Sequence, residues 1–300
     1  MPFAFRLPQY DKRMLVWKAY SRMIDALAFG PDGRALALGG YHLGCRVIES
    51  DSGRRVWTEG SNSAFGLSLA FAPGGAVLCR QSGLSVRAAA TGAEVRRLGA
   101  WCQSFAPDPD GRTALVADGR GYRDVVRRYD LGTGEVRGEI ELESGAINRL
   151  AVSPDGSRVA AVGCKRFHLL AADTLGVLAA DPQRALSSGA FALAFSPCGR
   201  TVVYSAGRTL FVWDVGDARE VAQLHLESKH FMDAAFTPDG RRLLTVSREG
   251  AARVWDTATW ACERVLAWDV GPLRAVAVAP DGARAAAAGD TGRVVVWDLD

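Results

Sequence analysis

Three hundred residues, 36 basic and 33 acidic, leave a formal charge of only +3, which argues against a polyanion as the main partner. With 48% hydrophobic and 23% charged residues, the composition is that of a folded globular chain and excludes a disordered or fibrous one. No apolar run reaches the roughly 18 residues of a membrane-spanning helix.

The first residues, "MPFAFRLPQYDKRM", carry two prolines and early charges, and lack the apolar core of a signal peptide. "RMLVWKAY", residues 13–20, reads as a strand. "LAFGPDGRALALGG", residues 27–40, is then a hairpin: Pro31 presets φ and Gly33 permits positive φ between two short apolar runs. The hairpin returns at 71–79, 105–117, 152–162, 195–205, 236–246 and 278–288. Its turn glycines are Gly33, Gly75, Gly111, Gly156, Gly199, Gly240 and Gly282, separated by 42, 36, 45, 43, 41 and 42 residues. A period of about 42 is the signature of a repeat architecture. After each hairpin come a polar loop and a third strand, ending in Trp213-Asp214, Trp255-Asp256 and Trp297-Asp298 in the last three units. Tyr129-Asp130 and Ile48-Glu49 are weaker versions of that ending. Turns such as Ser52-Gly53, Thr91-Gly92 and Thr133-Gly134 lead to a fourth strand. Four short strands per unit make a β-meander.

These units resemble those of the WD-repeat family. The resemblance covers nearly the whole chain and implies an all-β, seven-bladed propeller of four-stranded antiparallel blades. The last unit stops before its fourth strand and the N-terminus has one strand too many. Strand 13–20 is therefore expected to complete the last blade, close the ring and remove its open sheet edges. The expected organisation is one propeller over residues 1–300, monomeric, with no appended catalytic domain. Typical family units carry Gly-His about nine residues before the hairpin strand ends. Here those positions hold Tyr20, Asn62, Glu143, Leu186, Glu227 and Asp269, so a His-based hydrogen-bonded tetrad is expected to be missing throughout.

Little in the chain points to chemistry. Six cysteines scattered through different units, with no CxxC spacing, fit a reducing compartment, and the cytoplasm is the expected location. Four histidines are dispersed, and no HExxH, nucleophile elbow or phosphate loop occurs. An enzyme with a metal in the central channel, hydrolase- or lactonase-like, is one alternative. Its ligands would come from Asp25, Asn148 and Asp233 on innermost strands. Strand alternation, however, points Asp25 and Asp233 to opposite faces unless a bulge intervenes. A second alternative is a quinoprotein-like cofactor propeller, because "ESDSGRRVW", ending at Trp57, resembles that family's docking motif. The basic stretch 119–128 is read as a solvated loop and strand face, so no nucleic acid and no membrane partner is expected.

The function expected is that of a non-catalytic scaffold binding a protein or peptide, with no cofactor and no metal. The Pro-Asp-Gly and Thr-Gly turns share one regular rim. The opposite rim is where the units differ, and irregular loops on a rigid ring are where recognition concentrates. Candidate contact residues there are Tyr41, His42, Arg120, Tyr122, Arg123, Lys165 and Arg248. At the entry to the innermost strands, Trp101, Arg149, His230, Phe231 and Arg274 join them. Arg, Tyr and Trp dominate binding hot spots.

Overall fold

Runs such as Val294-Val295-Val296-Trp297, apolar on both faces, can be buried only if sheets stack on each side of them. The computed structural model shows that stacking. It describes residues 14–40, 44–60, 68–80, 83–98, 102–118, 124–181, 190–227 and 229–299. Tyr41, His42, Trp101, Arg120, Tyr122 and Arg123 lie outside the described residues.

Seven four-stranded antiparallel sheets form the blades of a propeller. From the innermost strand outward, blade 1 comprises Ala26–Phe29, Ala35–Gly40, Gly44–Glu49 and Arg55–Glu59. Blade 2 comprises Leu69–Phe71, Ala76–Arg80, Leu84–Ala88 and Glu94–Leu98. Blade 3 is Cys102–Pro107, Thr113–Asp118, Asp124–Asp130 and Val136–Leu142. Blade 4 is Ile147–Val152, Arg158–Gly163, Phe167–Ala171 and Val177–Ala180. In blade 5 the strands are Leu193–Phe195, Thr201–Ala206, Thr209–Asp214 and Arg219–His225. In blade 6 they are Phe231–Phe236, Arg242–Ser247, Ala251–Asp256 and Cys262–Ala267. Blade 7 takes Leu273–Val278, Arg284–Gly289 and Arg293–Asp298 from the C-terminal end and Met14–Lys18 from the N-terminal end.

The ring closes as the sequence implies. Met14 pairs with Trp297 and the register runs to Lys18 opposite Arg293. The amides of Ala19 and Tyr20 extend the closure by donating to the Gly292 carbonyl at 3.0 and 3.1 Å. Arg46 of blade 1 reaches back to the Ala19 carbonyl.

Burial follows position within a blade. The second strands are sandwiched: Ala285, Ala286, Ala287 and Ala288 are all inaccessible to solvent, which is why small side chains suit them. The outermost strands alternate, exposing Val56, Val95, Val136, Val177, Val221 and Val265.

The regular rim consists of the seven hairpin turns, whose glycines all lie at φ between 68° and 79°. In five of them the turn Asp accepts the amide two residues on, as Asp110 does from Arg112 at 2.8 Å. At six of the seven seams the turn Gly lies against the Pro of the preceding blade's turn, as Gly240 does against Pro197. The Pro-to-Gly motif is thus packing between turns as well as turn chemistry.

The turns between third and outer strands adapt to the neighbouring blade. In blades 1 and 2 they carry Gly53 and Gly92 at positive φ. A Cβ built at Gly92 would lie 2.6 Å from the Trp57 ring, and one at Gly53 would lie 2.9 Å from the Trp17 ring. In blades 4, 5 and 6 the corresponding left-handed residues are Leu175, Ala218 and Trp260. There the turn side chain fills the seam itself, as Trp260 does by packing against the core cluster between blades 5 and 6. Trp57 also donates its indole N–H to the Ala89 carbonyl of the next blade at 2.6 Å. Its place in the seam explains the resemblance to a docking motif through packing between blades.

The tetrad is reduced to a fragment. Trp255 donates its indole N–H to Thr245 at 2.9 Å. In the same register place blades 5 and 7 have Tyr204 and Ala287. Among the described residues the buried indole nitrogens of Trp213 and Trp297 have no hydrogen-bond partner. The expectation that the tetrad is missing throughout therefore needs one amendment, at blade 6.

Candidate protein interface on the irregular rim

Bulges decide what the innermost strands present. The register shifts between Cys102 and Ser104, Ile147 and Arg149, Phe231 and Asp233, and Leu273 and Ala275. Each bulge re-aims the residues beside it toward the next blade. Ser104 accepts the Leu150 amide at 3.0 Å, and Asp233 accepts the Val276 amide at 3.0 Å. Arg149 donates through Nε to the Phe191 carbonyl at 2.8 Å. Arg274 pairs with Asp25 across the closing seam at 3.4 Å, and with Asp290 in its own blade. Burial pushes the Asp233 carboxyl up to about 6, against the pull of the Val276 amide, Arg149 and the Ala234 amide.

Asp233 and Asp25 are thus engaged in holding blades together, and Asn148 in a contact within blade 4. Asp233 is tied to blade 7, Asp25 is paired with Arg274, and Asn148 reaches the Cys164 thiol at 3.5 Å. Among the described residues no three His, Cys, Asp or Glu side chains converge as a metal requires.

The rim is best defined between blades 3 and 4. The buried Asp124, at the start of a third strand, accepts the amides of Gly145 and Ala146 in the connection to blade 4. Ala146 is held at φ 63°, a conformation costing about 1–2 kcal/mol for a residue with a Cβ. Ser144 shares a 3.1 Å hydrogen bond with the buried His168 Nδ1. Burial, and then the Arg166 charge, hold His168 below the usual imidazole range, so the ring is neutral near pH 7. The Lys165 amide donates to the Ser144 carbonyl at 2.8 Å, and the Lys165 stem crosses over Gly145. Lys165 and Arg166 are thereby presented outward from a fixed base, with Glu143 3.8 Å from Arg166. Asp124 and His168 escaped the sequence reading because each lies more than 20 residues from the turn it holds. An acid beside a positive-φ Gly-Ala pair is a signal visible only in three dimensions.

Of the remaining rim candidates, Arg248 is exposed in the Ser247–Gly250 turn, which the Arg253–Glu249 pair at 2.6 Å braces from below. Among the described residues the Lys165 and Arg248 side chains make no ion pair or side-chain hydrogen bond, which leaves both available to a partner. His230 is half-buried beside the start of blade 6. Phe231 must be corrected: it is inaccessible to solvent, and its ring packs 6.5 Å from Trp255 in the core between blades 5 and 6. Its strand position turns it into the seam, so it cannot contact a partner. Arg149 and Arg274 sit half-buried at the channel mouth, positioned by their seam contacts rather than extended into solvent.

Comparison with known proteins agrees with this architecture. The "WD domain, G-beta repeat" family model matches residues 221–256 and 260–298, the last two units. Target of rapamycin complex subunit wat1 of Schizosaccharomyces pombe is 26% identical over 194 residues, covering 64% of this chain and 60% of the relative. Mouse target of rapamycin complex subunit LST8 is 21% identical over 196 residues, with the same coverage of both chains. Meiotic recombination protein rec14 of S. pombe is 28% identical over 106 residues, 35% of each chain. The chain thus spans about 60% or less of the length of these relatives. Repeat period, blade topology and these similarities agree: the chain is a seven-bladed β-propeller whose last two units match the WD-repeat family model and whose units lack the His typical of that family.

Proposed function

We propose that this propeller is a non-catalytic scaffold that binds a protein or peptide partner on its irregular rim. The observation that carries the reading is the asymmetry of the two rims. On one, turn aspartates and glycines are satisfied by their own backbone and by neighbouring prolines. On the other, Lys165 and Arg248 stand unpaired among the described residues, on braced turns of blades 4 and 6. Similarity to subunits of target of rapamycin complexes supports a partner that belongs to a multi-protein assembly. Tyr122 and Arg123, in the long connection of blade 3, are proposed as further contacts on the same rim.

A photo-reactive amino acid placed at Lys165 or Arg248 tests this, with Asp32 and Asp239 on the regular rim as controls. Cross-linking in cells to one defined polypeptide, from the first pair and not the second, is the expected result. Capture from Asp32 and Asp239 alone would move the interface to the other face.

A further inference from the structure

A dithiol is buried at the seam between the first two blades. Cys45, the second residue of Gly44–Glu49, and Cys79, in Ala76–Arg80, are both inaccessible to solvent. They face each other across the seam in one cluster with Ala37, Val47, Trp57 and Val77. The remaining four cysteines fall singly in blades 3 to 6. The surroundings of the pair are unlike the rest of the core. Cys79 Sγ lies 3.1 Å from Ser85 Oγ, and Arg87 Nε donates to that hydroxyl at 3.3 Å. Arg87 is only 5% exposed and is held by Glu59 at 2.5 Å and Glu94 at 2.8 Å. A hydroxyl held by a buried guanidinium thus stands against one sulfur, with a second thiol in the same cluster. The Cys45 thiol, then Ser85 and Arg87, draw the Cys79 thiol below its ordinary range in spite of burial, whereas the same contact pushes Cys45 up. Thiolate character is what makes a cysteine a nucleophile, and an adjacent thiol is what resolves its oxidised form.

We propose that Cys45 and Cys79 are a peroxide-oxidisable pair that closes to a disulfide between blades 1 and 2. The Cys79 thiolate attacks one oxygen of hydrogen peroxide; the O–O bond breaks and hydroxide leaves, giving a sulfenic acid. Cys45 surrenders its proton and attacks the Cys79 sulfur, the S–O bond breaks, and a second hydroxide leaves. Counting the two thiol protons, both oxygens depart as water, and the two sulfurs supply the two electrons. The product joins two blades through their interior strands and leaves the rest of the ring unchanged. Access requires only a small oxidant, which a bulky thiol reagent cannot imitate at this depth.

Mass spectrometry of the full chain tests the assignment. The reduced native protein is treated with hydrogen peroxide, alkylated after denaturation and digested with trypsin without reduction. Peptides 35–46 and 56–80 are expected as one cross-linked species, accompanied by a rise of several degrees in melting temperature that C45S and C79S abolish. In C45S, oxidised in the native state and then denatured in the presence of dimedone, an adduct is expected on Cys79. The wild-type digest decides the matter even if a variant folds poorly. Recovery of Cys45 and Cys79 as alkylated thiols while the exposed Cys198 is oxidised would overturn the proposal. So would a cross-link that forms only when urea is present during oxidation.

Discussion

Trp255 and Asp233 show how single polar groups are handled inside the ring. Thr245 gives the Trp255 indole its acceptor at 2.9 Å, and a buried donor left without one costs about 1–3 kcal/mol. Thr245→Val keeps the volume and removes the oxygen. We expect it to lower unfolding free energy by about 1–2 kcal/mol in urea denaturation, with an unchanged m-value. No loss would mean that the blade 6 fragment of the tetrad is idle. Asp233 behaves oppositely from a usual surface acid, because burial raises its carboxyl to about 6. The folded state holds that proton more tightly than the unfolded chain, whose Asp ionises near the ordinary value of 3.8. Its favourable contribution is therefore full below about pH 4 and is lost as pH rises through about 6. The shift of about two pKa units corresponds to roughly 3 kcal/mol. The stability difference between wild type and Asp233→Asn should change across pH 4–6.5 in that direction. A pH-independent difference would show that Asp233 does not titrate in this window.

At the scale of strands and turns, seams are matched by size. Where an outer strand carries Trp17 or Trp57, the facing turn is Gly; in blades 4 and 6 Leu175 and Trp260 fill the gap from the turn side. Gly92→Ala combines a positive φ of 74° with a collision against the Trp57 ring. We expect a loss of about 2–4 kcal/mol from left-handed strain plus displaced packing. In a Trp57→Ala background the steric part should disappear and about 1–2 kcal/mol remain, so a double-mutant cycle separates the two causes. Additive losses would show that Trp57 and Gly92 are uncoupled. The bulges on innermost strands belong to the same scale. They turn Ser104, Arg149 and Asp233 into hooks on the next blade, and they undo any argument from simple alternation about which residues face the channel.

For the whole molecule, closure couples the two ends of the sequence. Met14–Lys18 covers the free edge of Arg293–Asp298, and Trp17 seals Gly53 of blade 1. Removing residues 1–20 would expose that edge and open the seam at once. The truncated chain should lose cooperative melting and aggregate, as read by calorimetry and light scattering. A sharp, unshifted transition in the truncated chain would contradict closure. A ring without free edges also gives the irregular rim its rigid base, so that exchanging Lys165 and Arg248 for Glu together should abolish partner binding while moving the melting temperature by no more than about 2 °C.

Much of this was determined by sequence alone. A Pro-to-Gly turn every 42 residues or so specifies hairpins through φ preferences of individual residues, and a strand spare at one end matches a strand missing at the other. Local conformation and period are properties of neighbouring residues, and so are legible in order along the chain. What lay beyond them depends on which side chains meet across seams. Phe231 read as a rim residue because it stands at the entry to an innermost strand, yet the strand it begins turns it against Trp255. Asp25 and Asp233 were candidates for the alternative channel site, yet Asp25 pairs with Arg274 and a bulge of one residue directs Asp233 to blade 7. Asp124, His168 and the Cys45–Cys79 pair act on partners 20 or more residues away. Only the stacking of blades brings those groups within reach, because contact energies depend on distance in space and the sequence records separation along the chain.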